Sequence, residues 1–243
     1  MGVLVVIPAR YGSTRFPGKP LALLHGKPVI QHVYEQAAKA RSADEVVVAT
    51  DDERIIAAVS RFNGRAMMTS PSARSGTDRV AEVARGRAAE VIINVQGDEP
   101  LIHAEMVDQL ADCLTKHPAV PMASLMVPLR EEADMASPNV VKVVVDRDGF
   151  ALYFSRAAIP FKRGEAAGRG PRFYKHLGIY GYQRHFLLQF PSLEPTPLEQ
   201  SEQLEQLRAL EYGYRIKLLE TVHDTIGVDT PEDLRRVEAL LRK

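Results

Sequence analysis

The strongest constraint on the fold is an alternation in which short unbroken apolar runs rich in β-branched residues are each followed by helical spacing. VLVVIP (3–8) precedes PVIQHVYEQAAKA (28–40), EVVVAT (45–50) precedes DERIIAAVSRF (52–62), and VIINVQ (91–96) precedes GDEP and a further helical pattern. A strand with one wet face alternates apolar and polar residues; these runs do not, so both of their faces must be covered. Intervening helices supply the cover, which predicts a three-layer α/β/α fold with a mainly parallel, Rossmann-like sheet. Ligands of such sheets bind beyond the carboxyl ends of the strands, where strand order reverses. Arg10, Asp51 and Asp98 follow these strands and are the first residues to inspect.

The second half changes character. NVVKVVVDRDGFALYFSR (139–156) predicts two strands around an Asp-Gly turn, and LGIYGYQ (177–183) another strand, with the Gly- and Arg-rich KRGEAAGRGPR between them. A helix over LEQSEQLEQLRALEYG, ending at Gly213, and the strand RIKLLE follow. TPEDLRRVEALLRK closes the chain as an amphipathic helix, with Thr230 as N-cap, Pro231 in the first turn and Asp233 able to complete a capping box. The 243 residues suit one domain, 1–243, carrying a smaller inserted lobe at about 130–185 for the acceptor or a dimer contact.

Composition excludes several functions. The single cysteine, Cys113, forbids an intrachain disulfide, reads as a small core residue of a helix and favours a reducing, cytoplasmic setting. No apolar run approaches the roughly 20 residues of a membrane span. With 31 basic and 31 acidic residues the chain has no net charge, which argues against wholesale capture of nucleic acid. The distribution is uneven, however. No Asp or Glu precedes Glu35, where average composition gives about four, while Arg10, Arg15, Lys19 and Lys27 all lie in that stretch. An uncompensated cationic segment in a neutral chain points to a bound anion.

That segment centres on PARYGSTRFPGKP (8–20), directly after the first strand. Gly12 and Gly18 permit close backbone approach, and successive N–H groups can form an anion nest. Arg15 can grip phosphate oxygens bidentately and Lys19 adds a point charge. It is not a Walker loop, because five residues separate Gly12 from Gly18 and Pro20 follows Lys19. Pro17 and Pro20 predict an extended course with no helix opening there. In NVQGDEP, Asp98 stands just beyond a buried strand, where a carboxylate needs a partner or a metal. Glu99 is expected to do no more than face solvent.

PARYGSTRFPGKPL resembles the signature of the sugar nucleotidyltransferases, in the branch that joins CMP from CTP to 3-deoxy-manno-octulosonate (Kdo). VATDDERI, SGTDR, NVQGDEP, ALYFSR, KHLGIYGY, LEQLRALE and GVDTPEDL follow in the order of that cytidylyltransferase family, so the resemblance spans nearly the whole chain. It implies Mg²⁺ held by Asp98 and Asp229, although Asp229 also suits a helix start. It implies nucleotide contacts from Ala9, Arg10, Gly12, Ser13, Arg15, Lys19, Ser75, Gly76 and Thr77; Thr77 is equally suited to N-cap a helix. Arg79, Gln96, Arg156, His176, Tyr180, Glu205 and Gln206 match positions that hold the sugar acid, with Arg156 suited to its carboxylate. His176 and Tyr180 also read as core residues. Glu205 and Gln206 point about 100° apart on a helix, so one of them has the better reach. Arg15, Lys19, Asp98 and Asp229 are then the catalytic group of a magnesium-dependent transfer that feeds lipopolysaccharide synthesis, and similar enzymes are homodimers. The rival readings are transfer to 8-amino-Kdo or another sugar acid, or a CTP-binding module without catalysis.

Overall fold

The computed structural model describes residues 2–12, 15–163 and 172–241. The strands are β1 (Val3–Pro8), β2 (Leu23–Leu24), β3 (Lys27–Pro28), β4 (Glu45–Thr50), β5 (Ala66–Met68), β6 (Val91–Asn94), β7 (Met122–Pro128), β8 (Lys142–Val145), β9 (Ala151–Ser155), β10 (Tyr174–Gln183) and β11 (Ile216–Glu220). The helices are α1 (Val29–Ala37), α2 (Glu53–Arg61), α3 (Gly76–Arg85), α4 (Ala104–Lys116), α5 (Glu132–Ala136), α6 (Arg184–Gln189), α7 (Pro197–Glu202), α8 (Gln206–Glu211) and α9 (Pro231–Leu240). β2 and β3 form a small hairpin; the other strands build one sheet with the main order β11-β7-β10-β6-β1-β4-β5.

The apolar runs form the centre of that sheet, and their two faces divide residue by residue. Val5, Ile7, Val46, Val48 and Ile93 face a layer containing Val33 of α1, Ile55 of α2, Leu110 of α4 and Val237 of α9. Leu4, Val6, Val47 and Ile92 face the opposite layer, with Val80 of α3, Phe186 of α6 and Leu207 of α8. The three-layer architecture is thus the one expected, because strands without a polar face must be covered on both sides, and here helices supply both covers. Cys113 is buried in α4, as predicted.

β1 pairs in parallel with β4 on one side and β6 on the other, which makes the β1–β6 boundary the switch point of the sheet. The loop that follows β6 meets the end of β1 there: Val95 N donates to Val6 O at 3.0 Å. Gly97 is required at this meeting, since a Cβ on it would lie 2.7 Å from the Pro8 carbonyl oxygen.

Two expectations need correction, and one strand lies outside them: β7, buried over six of its seven residues. β10 lies inside the main sheet, antiparallel to both β6 and β7, so 174–183 belongs to the core and the inserted lobe is smaller than 130–185. Its recognisable part is the β8–β9 hairpin, turned by Gly149 at φ 74° and attached to the start of β10. The single helix expected over 198–213 is two, α7 and α8, separated by Gln203 in the left-handed conformation at φ 54° and ψ 48°. No helix among the described residues is long and apolar enough to cross a membrane.

Candidate active site

The segment after β1 does not stay extended throughout. Lys19–Leu21 form one 3-10 turn, with Pro20 inside it where no backbone donor is needed. Gly18 precedes the turn at φ 72°, and its missing Cβ makes room for the Tyr11 ring, which would otherwise be 3.1 Å away. Tyr11 is itself capped by the Arg54 guanidinium, 3.3 Å from the ring centroid. These contacts shape the loop so that the Lys19 ammonium points back across the switch point.

There it meets two carboxylates from distant parts of the chain. Lys19 Nζ donates to Asp98 Oδ2, in the loop after β6, and to Asp229 Oδ1 at 2.9 Å, just before α9. Arg15 Nη2 lies 3.0 Å from Asp229 Oδ2. Burial opposes the Lys19 charge, but Asp98 and Asp229 more than offset it and hold the ammonium above its ordinary range. Burial likewise opposes the Asp229 charge, and Lys19 with Arg15 overcome that and keep its carboxyl low. The cations that lack carboxylates locally therefore find them through the fold.

Around this cluster lies a cavity of about 420 Å³, lined among others by Ala9, Arg10, Gly12, Arg15, Lys19, Gly76, Arg79, Gln96, Asp98 and Asp229. A second cavity, of about 520 Å³, shares Arg10 and Gly76 with the first and adds Ser75, Arg74, Glu199, Gln203, Glu205 and Arg208. Ser13 falls outside the described residues.

Ser75, Gly76 and Thr77 open α3, but Ser75 rather than Thr77 is its N-cap, in a reciprocal capping box with Asp78. Thr77 is instead inside the first turn, and its hydroxyl donates to Glu205 Oε2. Burial raises the Glu205 carboxyl, with the hydroxyls of Thr77 and Ser75 pulling the other way. Of the adjacent pair, Glu205 lines the second cavity, while Gln206 is buried with its amide nitrogen unpartnered. The break at Gln203 and the bidentate Arg208–Glu199 pair, with Nε to Oε2 at 2.7 Å, hold α8 at this angle.

Several predicted acceptor residues do not reach either cavity. The Arg156 guanidinium is committed to backbone carbonyls, from Nε to Glu202 O at 2.7 Å and from Nη1 to Pro138 O at 3.0 Å, and lines neither cavity. His176 and Tyr180 occupy β10, their ring centroids 5.4 Å apart. His176 Nε2 lies 2.9 Å from the Ser124 hydroxyl, which also donates to the Ile179 carbonyl at 2.8 Å. Burial drives the His176 imidazole down to about 3 and the Tyr180 phenol well up, so both are neutral. Arg79 lines the first cavity, yet its guanidinium is tied to Asp51 Oδ2 and, at 2.8 Å, to Thr69 Oγ1, leaving Nε without a partner. Gln96 lines it too, with Nε2 3.3 Å from Asn94 Oδ1.

Glu99 departs from its expected place at the surface. Burial, with Asp98 adjacent, pushes its carboxyl up to about 7, and Oε2 is buried without a hydrogen-bond partner. Sequence reading also passed over Arg74, Glu199 and Arg208 of the second cavity. Glu199 and Arg208 sit within a helical pattern and Arg74 in the loop before α3, and none carries a local mark of a site.

An α/β sheet with a cationic loop and paired carboxylates at its switch point defines a nucleotidyltransferase-type domain. The same fold occurs in 4-diphosphocytidyl-2C-methyl-D-erythritol synthase from Anaerococcus prevotii, at 13% identity and a TM-score of 0.65. Residues 4–218 match the model of the family described as cytidylyltransferase. The chain is 54% identical to the 3-deoxy-manno-octulosonate cytidylyltransferase of Geobacter sulfurreducens, with 98% of each covered, and 53% identical to that of Geotalea uraniireducens over the full length of both. A solved CMP:2-keto-3-deoxy-manno-octonic acid synthetase, complexed with CTP, superposes with a TM-score of 0.94 at 46% identity, covering 100% of this chain and 99% of that one. The chain belongs to the 3-deoxy-manno-octulosonate cytidylyltransferase family.

Proposed function

We propose that this protein transfers CMP from CTP to the anomeric hydroxyl of Kdo and releases pyrophosphate, activating Kdo for lipopolysaccharide assembly. The observation that carries the reading is the convergence of Lys19, Arg15, Asp98 and Asp229 on one cavity at the switch point. The relatives' names supply the acceptor and the nucleotide.

The chain's own residues would work as follows. Arg10, Arg15 and Lys19 bring positive charge to the triphosphate, Arg15 as a planar fork and Lys19 as a point charge. The Kdo hydroxyl forms the new bond to the α-phosphorus as the bond to the β-phosphate oxygen breaks, pyrophosphate leaving with that electron pair and the hydroxyl proton being released. Positioning and charge stabilisation suffice, so no covalent enzyme intermediate is expected. Gln96 and Arg79 line the cavity as polar side chains on the acceptor's side of this reading. Asp98 and Asp229 suit Mg²⁺: both already turn toward a single cation, the Lys19 ammonium, and both offer hard oxygens. Bound there, Mg²⁺ would supply Lewis-acid polarisation of phosphate oxygens. A homodimer and a cytoplasmic location belong to the same reading; the exposed apolar side chains of Leu152 and Phe161 on and beside the lobe suit a subunit contact.

Pyrophosphate release from CTP and Mg²⁺ with Kdo, 8-amino-Kdo and sialic acid in parallel tests the proposal. Kdo should be the best of the three. CTP binding without pyrophosphate release from any acceptor would instead identify a non-catalytic module. Asp98→Ala should lower kcat by about 10²–10³, and near-wild-type turnover at saturating Mg²⁺ would refute the role given to Asp98.

A further inference from the structure

We propose that His103, Glu105 and His223 form a binding site for one borderline divalent cation of the zinc class, fastening the first turn of α4 to the segment between β11 and α9. His103 immediately precedes α4 and Glu105 lies in its first turn. His223 comes from the other side, three residues after the end of β11. The His103 and His223 rings stack with centroids 3.8 Å apart and planes 8° from parallel, and His223 Nε2 lies 2.8 Å from Glu105 Oε2. One ligand atom from each of the three lies within 4.8 Å of the others.

The two sides are held in place without a cation. Gln109 Nε2 of α4 donates to Glu220 O at 3.3 Å, and Thr221 N donates to Met126 O at 3.0 Å. Lys175 Nζ reaches Thr225 O at 3.0 Å, and Val228 N donates to Asp98 O at 2.8 Å. The backbone on both sides of His223 is therefore anchored. Zinc bonds of about 2.0–2.2 Å require tetrahedral ligand atoms roughly 3.3–3.5 Å apart. His103 and Glu105 are exposed, so side-chain rotation alone can close that difference.

The donor chemistry sets the class of ion. Two imidazoles and one carboxylate, with room for water, are the protein share of a three-ligand zinc site. Imidazole nitrogen favours Zn²⁺, Ni²⁺ and Cu²⁺, whereas Mg²⁺ requires hard oxygens. This site is accordingly distinct in chemistry from Asp98 and Asp229. Its consequence would be a second fastening on the segment that leads to Asp229.

Equilibrium dialysis of the full-length protein against Zn²⁺, with Mg²⁺ in large excess, tests this. The wild-type chain should retain one Zn²⁺ and show a raised Tm. His103→Ala and His223→Ala should each weaken binding by at least about tenfold, the loss that removing even an outer partner of a metal ligand causes. Asp98→Asn should bind Zn²⁺ as the wild type does. His103→Gln, with an unchanged circular dichroism spectrum, separates ligand loss from misfolding. The site does not exist if wild-type protein retains no Zn²⁺, if both His variants retain it undiminished, or if Asp98→Asn alone loses it.

Discussion

Arg79 illustrates how a cavity-lining residue can be held by structure at the same time. Its guanidinium is buried to 1% exposure, and the Asp51 carboxylate that answers it is the residue that follows β4. Removing that partner leaves a buried cation, which is far more costly than losing a surface pair. Asp51→Ala should therefore cost about 3 kcal/mol in urea denaturation, and a change below about 1 kcal/mol would mean that Thr69 Oγ1 and the Ser70 carbonyl, 3.1 Å from Arg79 Nη1, alone satisfy the guanidinium. His176 makes a pH prediction. Burial lowers its imidazole from 6.5 to about 3, so an unfolded chain takes up a proton that the folded chain refuses. Stability contributed by the neutral ring is present above pH 6.5 and is lost as pH falls from there toward about 3. The urea stability of the wild type relative to His176→Gln should fall by up to about 1.4 kcal/mol per pH unit over that interval; a difference independent of pH would contradict a buried neutral imidazole. Arg10 and Asp98 were legible as candidates because each follows a strand end, and Lys19 because it lies in a cationic segment without local carboxylates. The motif around Arg156 shows nothing of the three carbonyls that occupy its guanidinium.

At the scale of elements, α9 and the α7–α8 pair make opposite cases. Thr230, Pro231 and Asp233 mark the start of α9 in sequence, and the capping box forms as expected because every partner is within three residues. Asp233 Oδ2 also accepts from the Asp229 backbone N–H at 3.2 Å, so the cap steadies a proposed metal ligand. Thr230→Ala should cost about 1 kcal/mol of stability and raise the Mg²⁺ concentration needed for half-maximal pyrophosphate release; unchanged magnesium dependence would separate the cap from the site. The α7–α8 break is invisible locally. Gln203 adopts a left-handed conformation that costs a non-glycine residue about 1–2 kcal/mol, and helical spacing continues through it. Long-range contacts compensate: Arg208 with Glu199 across the break, and Glu205 with Thr77, 128 residues away.

For the whole molecule, the proposed site spans the first and last tenths of the chain together with its middle, so occupancy should stabilise the entire fold. CTP with Mg²⁺ at about 100 times Kd should add about 2.7 kcal/mol and raise Tm by about 5–10 °C. Lys19→Ala should lose most of that rise, and an undiminished rise would place the triphosphate elsewhere. The alternation of wholly apolar strands with helical patterns pointed to the layered α/β fold on its own, since strands with two apolar faces must be covered on both sides. The carboxylate-free stretch before Glu35 determined that a cationic segment follows β1. Only the tertiary structure decided where β10 inserts, how far the lobe extends and which charges answer one another. Lys19 meets Asp98 and Asp229 across separations of 79 and 210 residues. Spacing along a chain encodes neighbours within a turn or a strand pair; contacts over such separations exist only once the sheet has brought its strand ends together.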